Sequence, residues 1–242
     1  MAVLPPLHDV DIPEDIPLRI SVIIPTLNED AHLGQTLERI KEGFNVETIV
    51  VDGGSTDATP SIAPDCMTCL NGRAAQQNMG ARASSGELLL FLHADTELPE
   101  GWDWIVRKTM ADPTVALGAF TFKVREAFPG RIFVEHTTNW RSNSRGLPFG
   151  DQGLFLRKAT FDTAFGFPDL PIMEDYAFVR LVRRQGTVFT VPEAAITSGR
   201  RWQQHGAFKV TLVNKLMILG YHLGVPPHKL ATFYRGRPRG SA

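Results

Sequence analysis

The chain has 242 residues, 25 Lys and Arg against 26 Asp and Glu, and a formal net charge of −1. So even a balance leaves no electrostatic footprint for nucleic acid as a general partner. With 43% apolar and 21% charged residues the sequence can bury a sizeable core, which excludes global disorder. Residues 1–17, acidic and Pro-rich, read as a tail. They lack the basic start and unbroken apolar stretch of a secretory signal, so the expected location is the cytoplasm.

From residue 18 onward, short apolar runs alternate with helix-like segments. Residues 18–25 (LRISVIIP) are a β-branched run ending at a turn, which predicts a buried parallel strand. Asn28 is expected to cap a helix whose apolar face is Leu33, Leu37, Ile40 and Phe44. Residues 46–52 (VETIVVD) predict a second strand closed by the turn GGSTDAT, residues 71–84 an Ala-rich helix, and residues 87–93 (ELLLFLH) a third strand. That order implies right-handed crossovers and a mostly parallel sheet flanked by helices, an α/β fold. Between these segments lie the only two cysteines, Cys66 and Cys69. A structural zinc site needs about four ligands, so the pair reads as two small core thiols.

Residues 99–112 read as helical and 115–124 as extended. Residues 174–185 predict a helix with Phe178, Leu181 and Val182 inward, and 187–191 a further strand. The segment 123–145 mixes basic and aromatic residues. It suits either reception of an acidic acceptor or an ordinary surface helix. Residues 208–225 (FKVTLVNKLMILGYHLGV) form a long apolar helix interrupted by Lys209, Asn214, Lys215 and His222. Charges at mid-span argue against a membrane crossing. Packing against the main domain, a homodimer contact, or shallow contact with a membrane surface through 207–225 remain as uses for it. The expected organisation is a tail (1–17), one catalytic domain (18–206) and a helical appendage (207–242).

In an open parallel sheet, ligands bind beyond the carboxyl ends of the strands. Three polar clusters fall there: Pro25-Thr26-Leu27-Asn28-Glu29, Asp52 through Asp57, and His93-Ala94-Asp95-Thr96-Glu97. Three such clusters in one register predict a shared ligand site. His93, Asp95 and Glu97 alternate, so an extended segment would present all three on one side. Carboxylate oxygens completed by phosphates and water are what Mg²⁺ or Mn²⁺ prefers, and Asp95 is the strongest candidate of the three.

The ordered set SVIIPTLNE, IVVDGGSTD and LFLHADT closely resembles the family 2 glycosyltransferases of the GT-A fold. The likeness continues through Met173-Glu174-Asp175 to Arg200-Arg201-Trp202 and so covers most of residues 18–206. It implies an inverting glycosyltransferase that uses a divalent metal, Mn²⁺ or Mg²⁺, and a UDP- or GDP-sugar donor, with the acceptor unspecified. Pro25, Thr26 and Glu29 would line the nucleotide pocket, Asp52 would accept from the base, and Arg73 would approach the diphosphate. Asp95 would hold the metal, with His93 and Glu97 beside it, and Asp175 of the Glu174-Asp175 pair would be the catalytic base. Arg201 and Trp202 would border the diphosphate and acceptor, and Asp151-Gln152-Gly153, just before a strand, either matches where the family places acceptor contacts or is a plain turn. In place of the family's usual Asp-x-Asp the chain has His93 in the first position. A catalytically inactive nucleotide-binding scaffold, or a sugar nucleotidyltransferase, are the alternative readings. The second lacks its Gly-rich loop here, since PTLNE follows the first strand.

Overall fold

Strands form where the β-branched runs fall. The computed structural model describes residues 17–235, and what the sequence predicts for residues 1–16 and 236–242 lies outside them. Seven strands make one sheet: β1 (Ile20–Thr26), β2 (Val46–Asp52), β3 (Met67–Thr68), β4 (Leu88–Phe91), β5 (Val115–Val124), β6 (Leu154–Arg157) and β7 (Thr187–Thr197). Their spatial order is β3-β2-β1-β4-β6-β5-β7. β1, β2, β3 and β4 run parallel, as do β5 and β7, and only β6 is reversed against its neighbours β4 and β5.

That single reversal matters for the site. The carboxyl ends of β1, β2, β4 and β7 lie at one edge of the sheet, and the residues entering β6 arrive at the same edge. Functional side chains from distant parts of the sequence are gathered there by topology alone.

Alternation along the strands divides the core into two layers. Ile20, Val22 and Ile24 of β1 pack with Leu88, Leu90 and Trp102 on one face. Ile23, Leu89 and Phe91 join Leu154, Phe161 and Phe178 on the other. Successive residues of a strand point to opposite faces, so a sheet covered by helices on both sides needs apolar residues at every position. The helices are α1 (Leu33–Lys41), α2 (Thr59–Ile62), α3 (Arg73–Ala83), α4 (Trp102–Met110), α5 (Arg131–Arg145), α6 (Lys158–Thr163), α7 (Glu174–Val182), α8 (Arg200–His205), α9 (Ala207–His222) and α10 (Pro227–Arg235). α3 lies tightest on the sheet: a Cβ built on Gly80 would stand 2.5 Å from Ile23 Cγ2.

Local expectations needed correction in three places. Asn28 does not cap α1. It adopts φ 55°, and its Oδ1 accepts from the Thr56 amide at 2.9 Å while α1 begins only at Leu33. Its short polar side chain tolerates the left-handed region and bonds backbone locally, so it clips two loops together instead. Phe44 lies beyond the end of α1 and is 66% exposed, so the apolar stripe stops at Ile40. β7 runs to Thr197, well past residue 191, because its second half pairs with β5 after an irregularity in register. Among the residues that left two readings open, 131–145 are a helix, α5.

The carboxyl-terminal helices pack on the main body. Met217, Leu230, Val213 and Tyr221 cluster with Met173 and Tyr176, and His222 Nε2 lies 2.7 Å from the Tyr176 hydroxyl. Cys69 is buried, Cys66 half-buried, and both are free.

Candidate active site

The edge of the sheet opens into a cleft of about 1180 Å³. Pro25, Thr26 and Glu29 after β1 line it, as do His93 and Asp95 after β4, and Glu174 and Asp175 at the start of α7. Arg73, Arg201 and Trp202 complete the predicted residues present, while Asp52 and Glu97 are not among the lining residues.

Asp52 is spent on its own turn. Oδ2 accepts from the amides of Gly54 and Ser55, both at 2.8 Å, and Oδ1 accepts from the Ser55 hydroxyl at 2.5 Å and from Thr26 Oγ1 at 3.3 Å. Burial raises its pKa, but these hydrogen bonds outweigh it and hold the carboxyl below its ordinary value. Its neighbour Gly53 does reach the cleft. Gln76 of α3 ties the same corner together, donating to the carbonyls of Thr26 at 2.9 Å and Val51 at 2.8 Å.

Beyond β4 the chain turns rather than staying extended. The Thr96 amide donates to the His93 carbonyl at 3.1 Å, so the period-two alternation that would have aligned His93, Asp95 and Glu97 is broken. Glu97 pairs instead with Arg39 at 3.3 Å and Arg125 at 3.4 Å. Asp95 faces the cleft. Its Oδ2 accepts from Arg200 at 3.3 Å, and the same Arg200 nitrogen reaches Glu29 Oε2 at 2.9 Å. His93 Nε2 has no hydrogen-bond partner among the described residues. Burial first, then Arg73, pull His93 down to about 4 against the opposing pull of Asp95 and Asp175, so the imidazole is neutral near pH 7.

No group of three or more His, Cys, Asp or Glu among the described residues forms a preassembled metal cage. What the loop after β4 offers a metal is one carboxylate, Asp95, with a neutral imidazole two residues away. That donor set suits a hard cation that takes most of its ligands from phosphate and water, and it does not suit a closed protein site.

Asp175 sits at the amino end of α7, after Met173 in the left-handed region at φ 68°. Its Oδ2 accepts from the Gly150 amide at 3.0 Å and its Oδ1 from the Tyr176 amide at 2.6 Å. A Cβ built on Gly150 would stand 2.9 Å from His93 Nε2 and 3.5 Å from Asp175 Oδ2, so glycine leaves a polar hollow between the two side chains. Glu174, buried beside Asp175, has an oxygen 4.0 Å from Arg73.

The turn entering β6 brings a further carboxylate. Asp151 lines the cleft, and its buried Oδ1 lacks a hydrogen-bond partner among the described residues. Burial pushes its carboxyl up to about 6, opposed by Arg141 and reinforced by Asp175 and Asp95. Arg141 in turn is pulled below its ordinary value by burial, with its guanidinium carbon 3.4 Å over the Phe149 ring.

The same cleft carries cations, Arg73 and Arg201. Arg73 opens α3 behind Gly72 at φ 90°, and both residues line the cleft, so an anion there meets a helix amino end. Burial and then Arg73 lower Arg201, whose guanidinium lies 4.1 Å over the Tyr234 ring. Two guanidinium groups that repel each other across a cleft form a place for an anion. Trp202, which also lines the cleft, stacks on Phe128 with centroids 6.0 Å apart.

Sequence reasoning left Asp151 open between an acceptor contact and a plain turn, gave Arg200 no role of its own, and missed the carboxyl-terminal wall of Asn214, Met217, Ile218 and Tyr234. Arg200 stands next to a residue that was named, and the turn at 151–153 precedes a strand, so both carried a signal. The wall carried none, because its residues read as one more apolar helix.

Comparison with known proteins extends these observations. The family model described as glycosyl transferase family 2 matches residues 21–164. No curated protein matches the chain significantly. Among solved structures, S. aureus TarS 1–349 in complex with UDP-GlcNAc superposes with a TM-score of 0.60 at 16% identity, over 76% of this chain and 59% of that one. A mannosyltransferase, PcManGT from Pyrobaculum calidifontis, in complex with GDP-Man and Mn²⁺, gives 0.57 at 22% identity, over 78% of this chain and 59% of that one. At such identities the likeness is one of fold, and the architecture is that of the GT-A glycosyltransferases. The chain spans about three fifths of the length of each of these solved chains.

Proposed function

The chain belongs to glycosyl transferase family 2, and we propose that it transfers a sugar from a nucleoside-diphosphate donor to an acceptor hydroxyl with inversion at the anomeric carbon. One observation carries the reading: Asp95 and Asp175 share a single cleft with Arg73 and Arg201, at the carboxyl edge of the sheet. Both solved relatives described above hold nucleotide sugars on this fold, which supports a nucleotide sugar as the donor.

In this reading the nucleoside lies over the ends of β1 and β2, against Pro25, Thr26 and Glu29. Asp52 contributes by fixing the turn beneath it, since its carboxylate is already committed to Gly54 and Ser55. The diphosphate rests at the amino end of α3, between Arg73 and Arg201, where helix amides and two guanidinium groups favour negative charge.

Asp175 accepts the proton of the acceptor hydroxyl as that oxygen bonds to the anomeric carbon. The bond from that carbon to the diphosphate oxygen breaks in the same step, and the electron pair leaves with the nucleoside diphosphate. Arg73 and Arg201 stabilise the charge that grows on it. The Gly150 and Tyr176 amides hold the Asp175 carboxylate in place. Asp95 is the residue that would hold Mn²⁺ or Mg²⁺, with His93 as a neutral neighbour and Arg200 displaced from Asp95. Such an ion, when bound, supplies further positive charge to the departing diphosphate.

The test is a thermal-shift panel of UDP- and GDP-sugars, each with and without Mn²⁺, followed by assay of donor hydrolysis. A ligand that binds the native state raises Tm, by an amount corresponding to about 2.7 kcal/mol at a hundred times its Kd. A rise for at least one nucleotide sugar, larger with the metal, is expected. Flat melting curves across the whole panel would remove the proposal.

A further inference from the structure

The two sides of α9 are used in opposite ways. Asn214, Met217 and Ile218 face the cleft, whereas Phe208, Leu212, Leu216, Leu219 and Leu223 form a stripe on the outer side. These five are between 41% and 74% exposed. Their spacing of four, four, three and four residues keeps them on one face of a helix. The stripe continues onto α5: Phe133 stacks on Phe208 with centroids 5.5 Å apart, and its neighbour Ile132 is 78% exposed. An apolar patch of this extent marks an interaction surface.

Charge says what covers it. After residue 206 the sequence contains six Lys and Arg (Lys209, Lys215, Lys229, Arg235, Arg237, Arg239) and no Asp or Glu. Of the 25 basic and 26 acidic residues in the chain, 19 and 26 respectively therefore precede that point. An acidic body thus carries a purely basic and apolar end, a segregation that an average soluble surface does not need. Lys209 and Lys215 are exposed on the same helix as the stripe. No helix among the described residues is long and apolar enough to cross a membrane. Apolar side chains bordered by cations, on a helix too short to span, match a surface that is apolar just beneath an anionic layer.

We propose that the outer face of α9, with Phe133 and Ile132 of α5, docks in-plane on an anionic lipid bilayer. Phe208, Leu212 and Leu219 enter the headgroup boundary while Lys209 and Lys215 meet lipid phosphates. Because the inner side of the same helix lines the cleft, docking holds the cleft about one helix diameter, 10–12 Å, from the lipid surface. This inference stands independently of the sugar-transfer reading, since it uses none of the cleft carboxylates or arginines.

The full chain is to be sedimented with vesicles of pure phosphatidylcholine and with vesicles containing about a third phosphatidylglycerol, at low and high salt. Binding to the anionic vesicles alone, weakening as salt rises, is expected. Each Lys near such a surface contributes about a fivefold gain in partitioning, so Lys209→Gln with Lys215→Gln should lower it by about an order of magnitude or more. Phe208→Gln with Leu212→Gln should abolish sedimentation while circular dichroism stays that of wild type. Absence of binding to anionic vesicles at low salt would overturn the proposal. So would a concentration-dependent dimer that the Phe208→Gln, Leu212→Gln chain no longer forms, because the face would then belong to a second copy.

Discussion

The backbone amide of Gly150 donates to Asp175 Oδ2 at 3.0 Å, joining the turn before β6 to the start of α7. Sequence separates the two residues, but the reversed strand brings them together at the edge where β1 and β4 end. The hydrogen bond fixes the direction of the carboxylate, and a general base must be held within reach of the proton it takes.

Gly150 should therefore resist substitution for reasons of chemistry more than of folding. A methyl group there would press on His93 Nε2 at 2.9 Å and crowd Asp175 Oδ2 at 3.5 Å. Gly150→Ala is predicted to lower kcat by about a hundredfold, the scale of an ångström-sized misplacement, with Tm nearly unchanged. Steady-state kinetics beside a melting curve check both halves. A large drop in Tm at normal kcat would assign Gly150 to folding instead.

Asp151 gives a pH signature. Its folded carboxyl titrates near 6 against 3.8 for an unperturbed one, so the folded state binds the extra proton in between. Stability is then fully present below about pH 4 and lost as pH rises through 6, by no more than about 3 kcal/mol. Asp151→Asn stays neutral throughout and escapes that loss. Urea denaturation at pH 4 and pH 7.5 should show the variant gaining on wild type as pH rises. A difference that stays constant, or shrinks, would refute the assignment.

Arg200 competes for Asp95. Its guanidinium, shared with Glu29, is half-exposed, and such pairs contribute about 0.2–1 kcal/mol. Removing it in Arg200→Ala should tighten Mn²⁺ binding in the presence of UDP or GDP by up to about fivefold, as read by calorimetry. Weaker binding would mean that Arg200 assists the metal site by its contacts rather than occupying it.

Packing between α3 and the sheet predicts a stability defect at Gly80. Alanine is the better helix former by about 1 kcal/mol, but its Cβ would lie 2.5 Å from Ile23 Cγ2 in a filled core. The clash should win, leaving Gly80→Ala about 1–3 kcal/mol less stable in chemical denaturation. A more stable variant would show that α3 shifts outward freely.

The apolar runs made β1, β2, β4 and β5 legible, because a strand covered on both faces reads as a near-continuous apolar run. The meeting of Thr26 and Asp95 was legible too, since strand ends in a parallel sheet share an edge, whereas Asp175, at the start of α7, was pointed to only by the family resemblance. Side-chain direction past a strand end was not. Glu97 was expected beside Asp95 on alternation, and one turn at Ala94-Asp95 sent it to Arg39 and Arg125. Asp52 lies where expected along the chain, yet its oxygens close its own turn, a choice made by amides that sequence patterns do not reveal. Asp151 stayed open between an acceptor contact and a plain turn, because its placing depends on β6 running backwards, which no local pattern announces.

Asp175→Asn tests the central claim most directly, with a nucleotide sugar that stabilises the wild-type protein as the substrate. Turnover should fall by about 10²- to 10⁴-fold, while the Kd for the nucleoside diphosphate stays that of wild type. Turnover within twofold of wild type, or a matching loss of nucleotide affinity, would contradict the placing of the base in this cleft.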